Sequence, residues 1–131
     1  MERVSLKIVG SSGQGIDSIG EVLAKSLKRS GYSVFGYREY PSLIKGGVAS
    51  YQIDLSNEPI ESSTMTIDIL VCLNHHPLRL CLPNMKSGGI IIHSTAEWKF
   101  PNEHLELIAK RQLKIIELPI EKIITELKTK P

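Results

Sequence analysis

The sequence predicts an α/β fold: one three-layer, Rossmann-like, mostly parallel sheet with at least one antiparallel strand. Three observations carry this. Short β-branched apolar runs alternate with segments of helical period. A glycine-rich loop joins the first such run to the first helix. A later stretch alternates polar and apolar residues after a loop too short for a crossover helix.

Val4 to Val9 is short and apolar and reads as a buried strand ended by Gly10. Gly10-Ser11-Ser12-Gly13-Gln14-Gly15 follows as a loop poor in side chains. From Ile16 the period changes, with Ile16, Ile19, Leu23 and Leu27 at spacings of three and four. That is an amphipathic helix, and Gly31 stands where a left-handed C-terminal cap is expected. Asp17 and Glu21 early, with Lys25, Lys28 and Arg29 late, suit the helix dipole. Tyr32 to Tyr37 reads as a second strand, reached by a right-handed crossover.

Ala49 to Leu55 alternates, which predicts a half-exposed strand antiparallel to its neighbour. Asp68 to Leu73 is another buried strand. A short helix is expected around residues 76–85, opened by Pro77. Ser87-Gly88-Gly89 reads as a turn, and Gly89 to His93 as a strand. Asn102 to Lys110 reads as a helix with Leu105 and Ile108 inward, and Leu113 to Leu118 as the last strand. Pro119 opens a final helix with Ile120, Ile123, Ile124 and Leu127 on one face.

Composition narrows the function. The 131 residues make one domain by length. Sixteen Lys and Arg against fourteen Asp and Glu leave a net charge of +2, and aromatics are 5%. Neither favours nucleic-acid binding. No apolar run approaches the roughly 18 residues of a membrane span, and the first residues lack a secretory pattern, so a cytoplasmic protein is expected. Cys72 and Cys81 form no CxxC, zinc or iron–sulfur spacing and read as buried thiols.

Three constellations could carry chemistry. The first is the loop Gly10, Ser11, Ser12, Gly13, Gln14, Gly15. A glycine loop at a helix start gathers backbone N–H groups where the dipole is positive, which suits an anion. Its GxxGxG spacing is neither GxGxxG nor a P-loop, and a tight turn packed against another chain explains it equally well. The second runs from Glu39 through Tyr40, Pro41, Ser42, Leu43 and Ile44 to Lys45, Gly46 and Gly47. Tyr40, Pro41, Leu43 and Ile44 are too apolar for a solvated loop and suggest a partner interface. Lys45, Gly46 and Gly47 place a cation beside two unrestricted backbone positions, suited to an anion. The third is His75-His76 at a strand end, with His93 and His104 standing alone. Adjacent histidines rarely converge on one metal, so no metal site is expected, and no catalytic triad or carboxylate pair is visible.

Together these segments resemble the gamma subunit, or gamma domain, of the 2-oxoacid:ferredoxin oxidoreductases of pyruvate, 2-oxoglutarate, ketoisovalerate and indolepyruvate type. Gly10-Ser11-Ser12-Gly13-Gln14-Gly15-Ile16 followed by Leu23-Ala24 is similar to that family's glycine loop and first helix. Tyr40-Pro41-Ser42-Leu43-Ile44-Lys45-Gly46-Gly47 resembles its second motif, in the form where gamma is fused ahead of alpha. Asp68 to Leu73, Gly88-Gly89-Ile90-Ile91 and Leu118-Pro119-Ile120 resemble later segments. Ser12 stands where the family has glycine and Lys45 where it has arginine, which gives up a bidentate fork. The chain also stops several tens of residues before the family pattern does, as a short subunit or a domain cut from a longer protein would.

The resemblance implies a multi-subunit enzyme that decarboxylates a 2-oxoacid on thiamine diphosphate and Mg²⁺, passes electrons through iron–sulfur clusters to ferredoxin, and forms an acyl-CoA. Its partners would be alpha, beta and ferredoxin-like delta subunits. This chain alone would bind none of those cofactors, having no Gly-Asp-Gly thiamine motif and no cluster cysteines. It would be inactive in isolation and would serve assembly and a CoA or phosphate contact. The alternative is a free-standing nucleotide- or phosphate-binding module, with Gly10 to Gly15 on a pyrophosphate and Glu39 on a ribose.

Overall fold

A computed structural model describes residues 3–11, 15–39, 48–59, 66–73, 78–94 and 100–119, with 122 and 126. Within them the chain runs β1 (Val4–Ser11), α1 (Ile16–Arg29), β2 (Ser33–Glu39), β3 (Val48–Ser56), β4 (Ile67–Cys72), α2 (Leu78–Cys81), a 3₁₀ turn (Leu82–Asn84), β5 (Met85–His93), α3 (Asn102–Lys110) and β6 (Lys114–Glu117). The strands form one sheet in the order β2-β3-β1-β4-β5-β6. β1, β4, β5 and β6 pair in parallel. β3 is antiparallel to both β1 and β2, so it is the reversed strand that the short loop before it predicts.

Alternate side chains send the sheet's two faces into two cores. Ile8, Tyr51, Ile53 and Leu73 pack with Ile16 and Ala24 of α1 on one face. Val9, Leu70, Cys72 and Ile91 pack with Leu78, Cys81 and Leu82 on the other, joined by Leu107 and Ile108 of α3. Helices on both faces of a mostly parallel sheet give the three expected layers.

α1 ends as its sequence predicts. The Gly31 N–H donates to Lys28 O at 3.0 Å and the Tyr32 N–H to Leu27 O at 3.2 Å. That pair of bonds is a Schellman motif, and it needs the left-handed backbone that Gly31 adopts at φ 98°. No described helix is long and apolar enough to cross a membrane.

Five expectations need correction. β1 does not stop at Gly10 but continues through Ser11, because Gly10 and Ser11 pair with Ala49 and Val48. β5 does not begin at Gly89. It starts at Met85 and passes through the expected turn, which is instead a bulge with Gly88 at φ 80° and a register shift against Ile67–Ile69. The expected helix over 76–85 is one turn, Leu78–Cys81, succeeded by the 3₁₀ turn carrying Pro83, since proline cannot donate the next helical bond. Leu105 faces solvent at 48% exposure, and Leu107 does the packing beside Ile108.

The fifth correction concerns β3. Its polar face is not half-exposed: Ser50, Gln52, Asp54 and Ser56 are all buried. Gln52 and Asp54 bond to each other and to Arg3, Ser5 of β1 and Tyr37 of β2, and the Ser56 hydroxyl accepts the Glu58 N–H at 3.1 Å. Pro77 and the apolar stripe of the final helix (Ile120, Ile123, Ile124, Leu127) lie outside the described residues.

Candidate functional site

Strand direction decides what meets at the edge of the sheet. β1, β2 and β4 all end at one edge, and the reversed β3 begins there. Ser11, the last residue of β1, lies opposite Val48, the first of β3. The glycine loop therefore departs, and the Tyr40–Gly47 segment arrives, at adjacent backbone positions. Two motifs some thirty positions apart in sequence are anchored side by side.

This edge is also where the connections diverge. After β1 the chain passes to α1 on one face, and after β4 to α2 on the other. The carboxyl ends of β1 and β4 thus flank a switch point, the usual position of a crevice in an open α/β sheet. The Leu73 N–H donates to Val9 O at 2.9 Å and holds these two strand ends together one residue past β4.

Gly15 caps α1 with a left-handed backbone, φ 78° and ψ 24°, and open space where a Cβ would stand. A side chain there would be strained by the backbone, not by crowding. Gly15 gives no side-chain bond to the helix, and its carbonyl accepts the first helical bond, from Ile19 N–H at 3.0 Å. The first N–H groups of α1 have no partner within the helix. Asp17, in the first turn, already supplies negative charge to the dipole. A second anion there would meet that charge at close range.

Among the residues expected to bind a cofactor, Gly10, Ser11 and Gly15 lie along this edge. Ser12, Gly13, Gln14, Lys45, Gly46 and Gly47 lie outside the described residues. So do Tyr40, Pro41, Leu43 and Ile44 of the expected interface, and His75 and His76. Glu39 ends β2 opposite Ser50. With β3 inserted, Glu39's strand stands two strand spacings from β1, about 10 Å, where a dinucleotide fold has one. That places the expected ribose acid one strand too far from the glycine loop.

His93 closes β5, buried and edge-on to Phe100 with ring centroids 6.1 Å apart. Its backbone carbonyl accepts the Leu118 N–H at 2.9 Å. His104 is half-buried on α3. Among the described residues no three His, Cys, Asp or Glu converge as metal ligands. Cys72 and Cys81 lie in the apolar core between β4 and α2. Burial, reinforced by the neighbouring Cys81, pushes the Cys72 thiol well up from its ordinary value. Two thiols buried in an apolar core do not fit the four-thiolate donor set of an iron–sulfur cluster.

A buried polar cluster escaped the sequence reading. Asp54, wholly buried, accepts from Arg3 Nη2 at 2.9 Å, from the Ser5 hydroxyl, and from Gln52 Nε2 at 3.3 Å. The Tyr37 hydroxyl reaches Gln52 Oε1 at 3.4 Å. The Ser5 N–H donates to Asp68 Oδ2 at 2.9 Å, extending the cluster to β4. The available signal was Ser5, a small polar residue near the start of a central strand.

A family model described as pyruvate ferredoxin/flavodoxin oxidoreductase matches residues 5–131. The chain is 39% identical over 69 residues to the alpha subunit of a 2-oxoacid:ferredoxin oxidoreductase from Sulfolobus sp., covering 53% of this chain and 11% of that one. It is 32% identical over 114 residues to the ketoisovalerate oxidoreductase subunit VorA of Methanothermobacter marburgensis, covering 86% of this chain and 24% of that one. The chain thus spans between a tenth and a quarter of the length of these two relatives. Its fold matches that of the 2-oxoglutarate:ferredoxin oxidoreductase from Magnetococcus marinus, determined with 2-oxoglutarate, coenzyme A and succinyl-CoA bound. The TM-score is 0.76 at 25% identity, over 98% of this chain and 22% of that one. A family match over residues 5–131 establishes that this chain belongs to the pyruvate ferredoxin/flavodoxin oxidoreductase family.

Proposed function

We propose that residues 1–131 form a gamma-type domain of a thiamine-diphosphate-dependent 2-oxoacid:ferredoxin oxidoreductase, one that oxidatively decarboxylates a 2-oxoacid to an acyl-CoA. In this reading the chain acts in the cytoplasm with alpha, beta and ferredoxin-like delta partners. It contributes to assembly and contacts CoA through the edge formed by Gly10–Gly15 and Lys45–Gly47. Ferredoxin takes the electrons from clusters held by other subunits.

One observation supports this reading: the Ser11–Val48 pairing, which sets side by side the strand ends that flank the two family motifs. The same topology counts against a free-standing dinucleotide module, because it separates Glu39 from the glycine loop by a whole strand. Asp17 favours a contact made by backbone N–H groups with a polar portion of CoA over a site closed around a free dianion.

The test compares the purified chain alone with the chain co-expressed with alpha and beta subunits. Each is assayed with several 2-oxoacids, CoA, thiamine diphosphate, Mg²⁺ and a dye acceptor. Turnover is expected only from the assembled complex. Turnover by the isolated chain, or full activity of a complex assembled without it, would overturn the reading. Gly13→Val is expected to raise the KM for CoA, and an unchanged KM would remove the loop from the CoA contact.

A further inference from the structure

No further inference is drawn: the strongest candidate, the exposed outer edge of β6 (Lys114–Glu117), carries nothing, because strand alternation sets Lys114 and Glu117 on opposite sheet faces, where a second copy could not pair their charges, and nothing in the structure shows what covers it.

Discussion

The ring of Tyr51 on β3 fills the space that a side chain on Gly20 of α1 would need: a Cβ built there would fall within 3.0 Å of three ring atoms. The far end of the same ring reaches Gly36 on β2, whose Cβ position lies 3.2 Å from Tyr51 Cε1. The helix rests on the sheet at this distance because Tyr51 has a glycine on either side.

Gly20→Ala tests this contact by its sign. In an open helix the exchange would stabilise by about 1 kcal/mol. Here overpacking against Tyr51 should cost about 1–3 kcal/mol and outweigh that gain. A lower chemical-denaturation midpoint is expected for Gly20→Ala. In the Tyr51→Val background the same exchange should turn neutral or stabilising. A rise in midpoint with Tyr51 present would show that the ring moves aside at no cost.

Asp54→Ala removes the acceptor shared by Arg3, Ser5 and Gln52. Stranding buried donors costs about 1–3 kcal/mol each, although Arg3, with a third of its side chain exposed, can still reach water. A loss of about 2–4 kcal/mol is therefore expected, against about 1 kcal/mol for Ser5→Ala. Equal midpoints for Asp54→Ala and wild type would mean that the cluster is satisfied some other way.

The cysteines should be silent in the folded protein. With its thiol shifted up by burial, Cys72 stays protonated at neutral pH, and the thiolate is the reactive form. A disulfide-exchange reagent at pH 8 should label neither Cys72 nor Cys81 until denaturant is added. Linkage gives the second readout. The folded thiol binds its proton more tightly than the unfolded one, so its contribution is complete below the unfolded value, about 8.5, and declines as pH rises above it. Cys72→Ala should flatten the fall in stability between about pH 8.5 and 10. An unchanged slope in that window would count against Cys72 as its source.

Leu43→Asp and Ile44→Asp, made separately, address the interface expected at Tyr40, Pro41, Leu43 and Ile44. Adjacent residues in an extended segment point to opposite sides. One substitution should lower the chain's stability, and the other should abolish co-purification with alpha and beta subunits while the chain stays folded. If both variants fold and co-purify like wild type, the interface lies elsewhere.

The features legible in the sequence were those set by local chemistry. Gly31 ends α1 because only a left-handed residue closes the Schellman bonds. Asn102–Lys110 matches its expected bounds, although its inward face runs through Leu107 and Ile108 and not Leu105. Features that depend on distant partners were not legible. Ser50, Gln52 and Asp54 have the alternation of a solvated face, and only the position of Arg3, Ser5 and Tyr37 across three strands reveals that this face is closed. In sequence the Ser87–Gly89 bulge resembles a turn because glycine serves both, and only pairing with β4 distinguishes them. For the candidate site, both motifs were legible singly. The adjacency of the strand ends that flank them was not, because it depends on β3 lying between β1 and β2.

The reversed β3 also fixes the order in which the sheet can assemble. Glu39 and Ser50 are 11 positions apart, whereas Ser11 and Val48 are 37 apart and Val4 and Leu55 are 51. Loop closure costs more as the separation grows, so β2 and β3 should zip together first and present a ready edge to β1. During synthesis, β1, α1 and β2 emerge with no strand to join them, and their shared partner arrives only with residues 48–56. A nascent chain halted before that point holds an amphipathic helix and two unpaired strands, the kind of species that recruits chaperones.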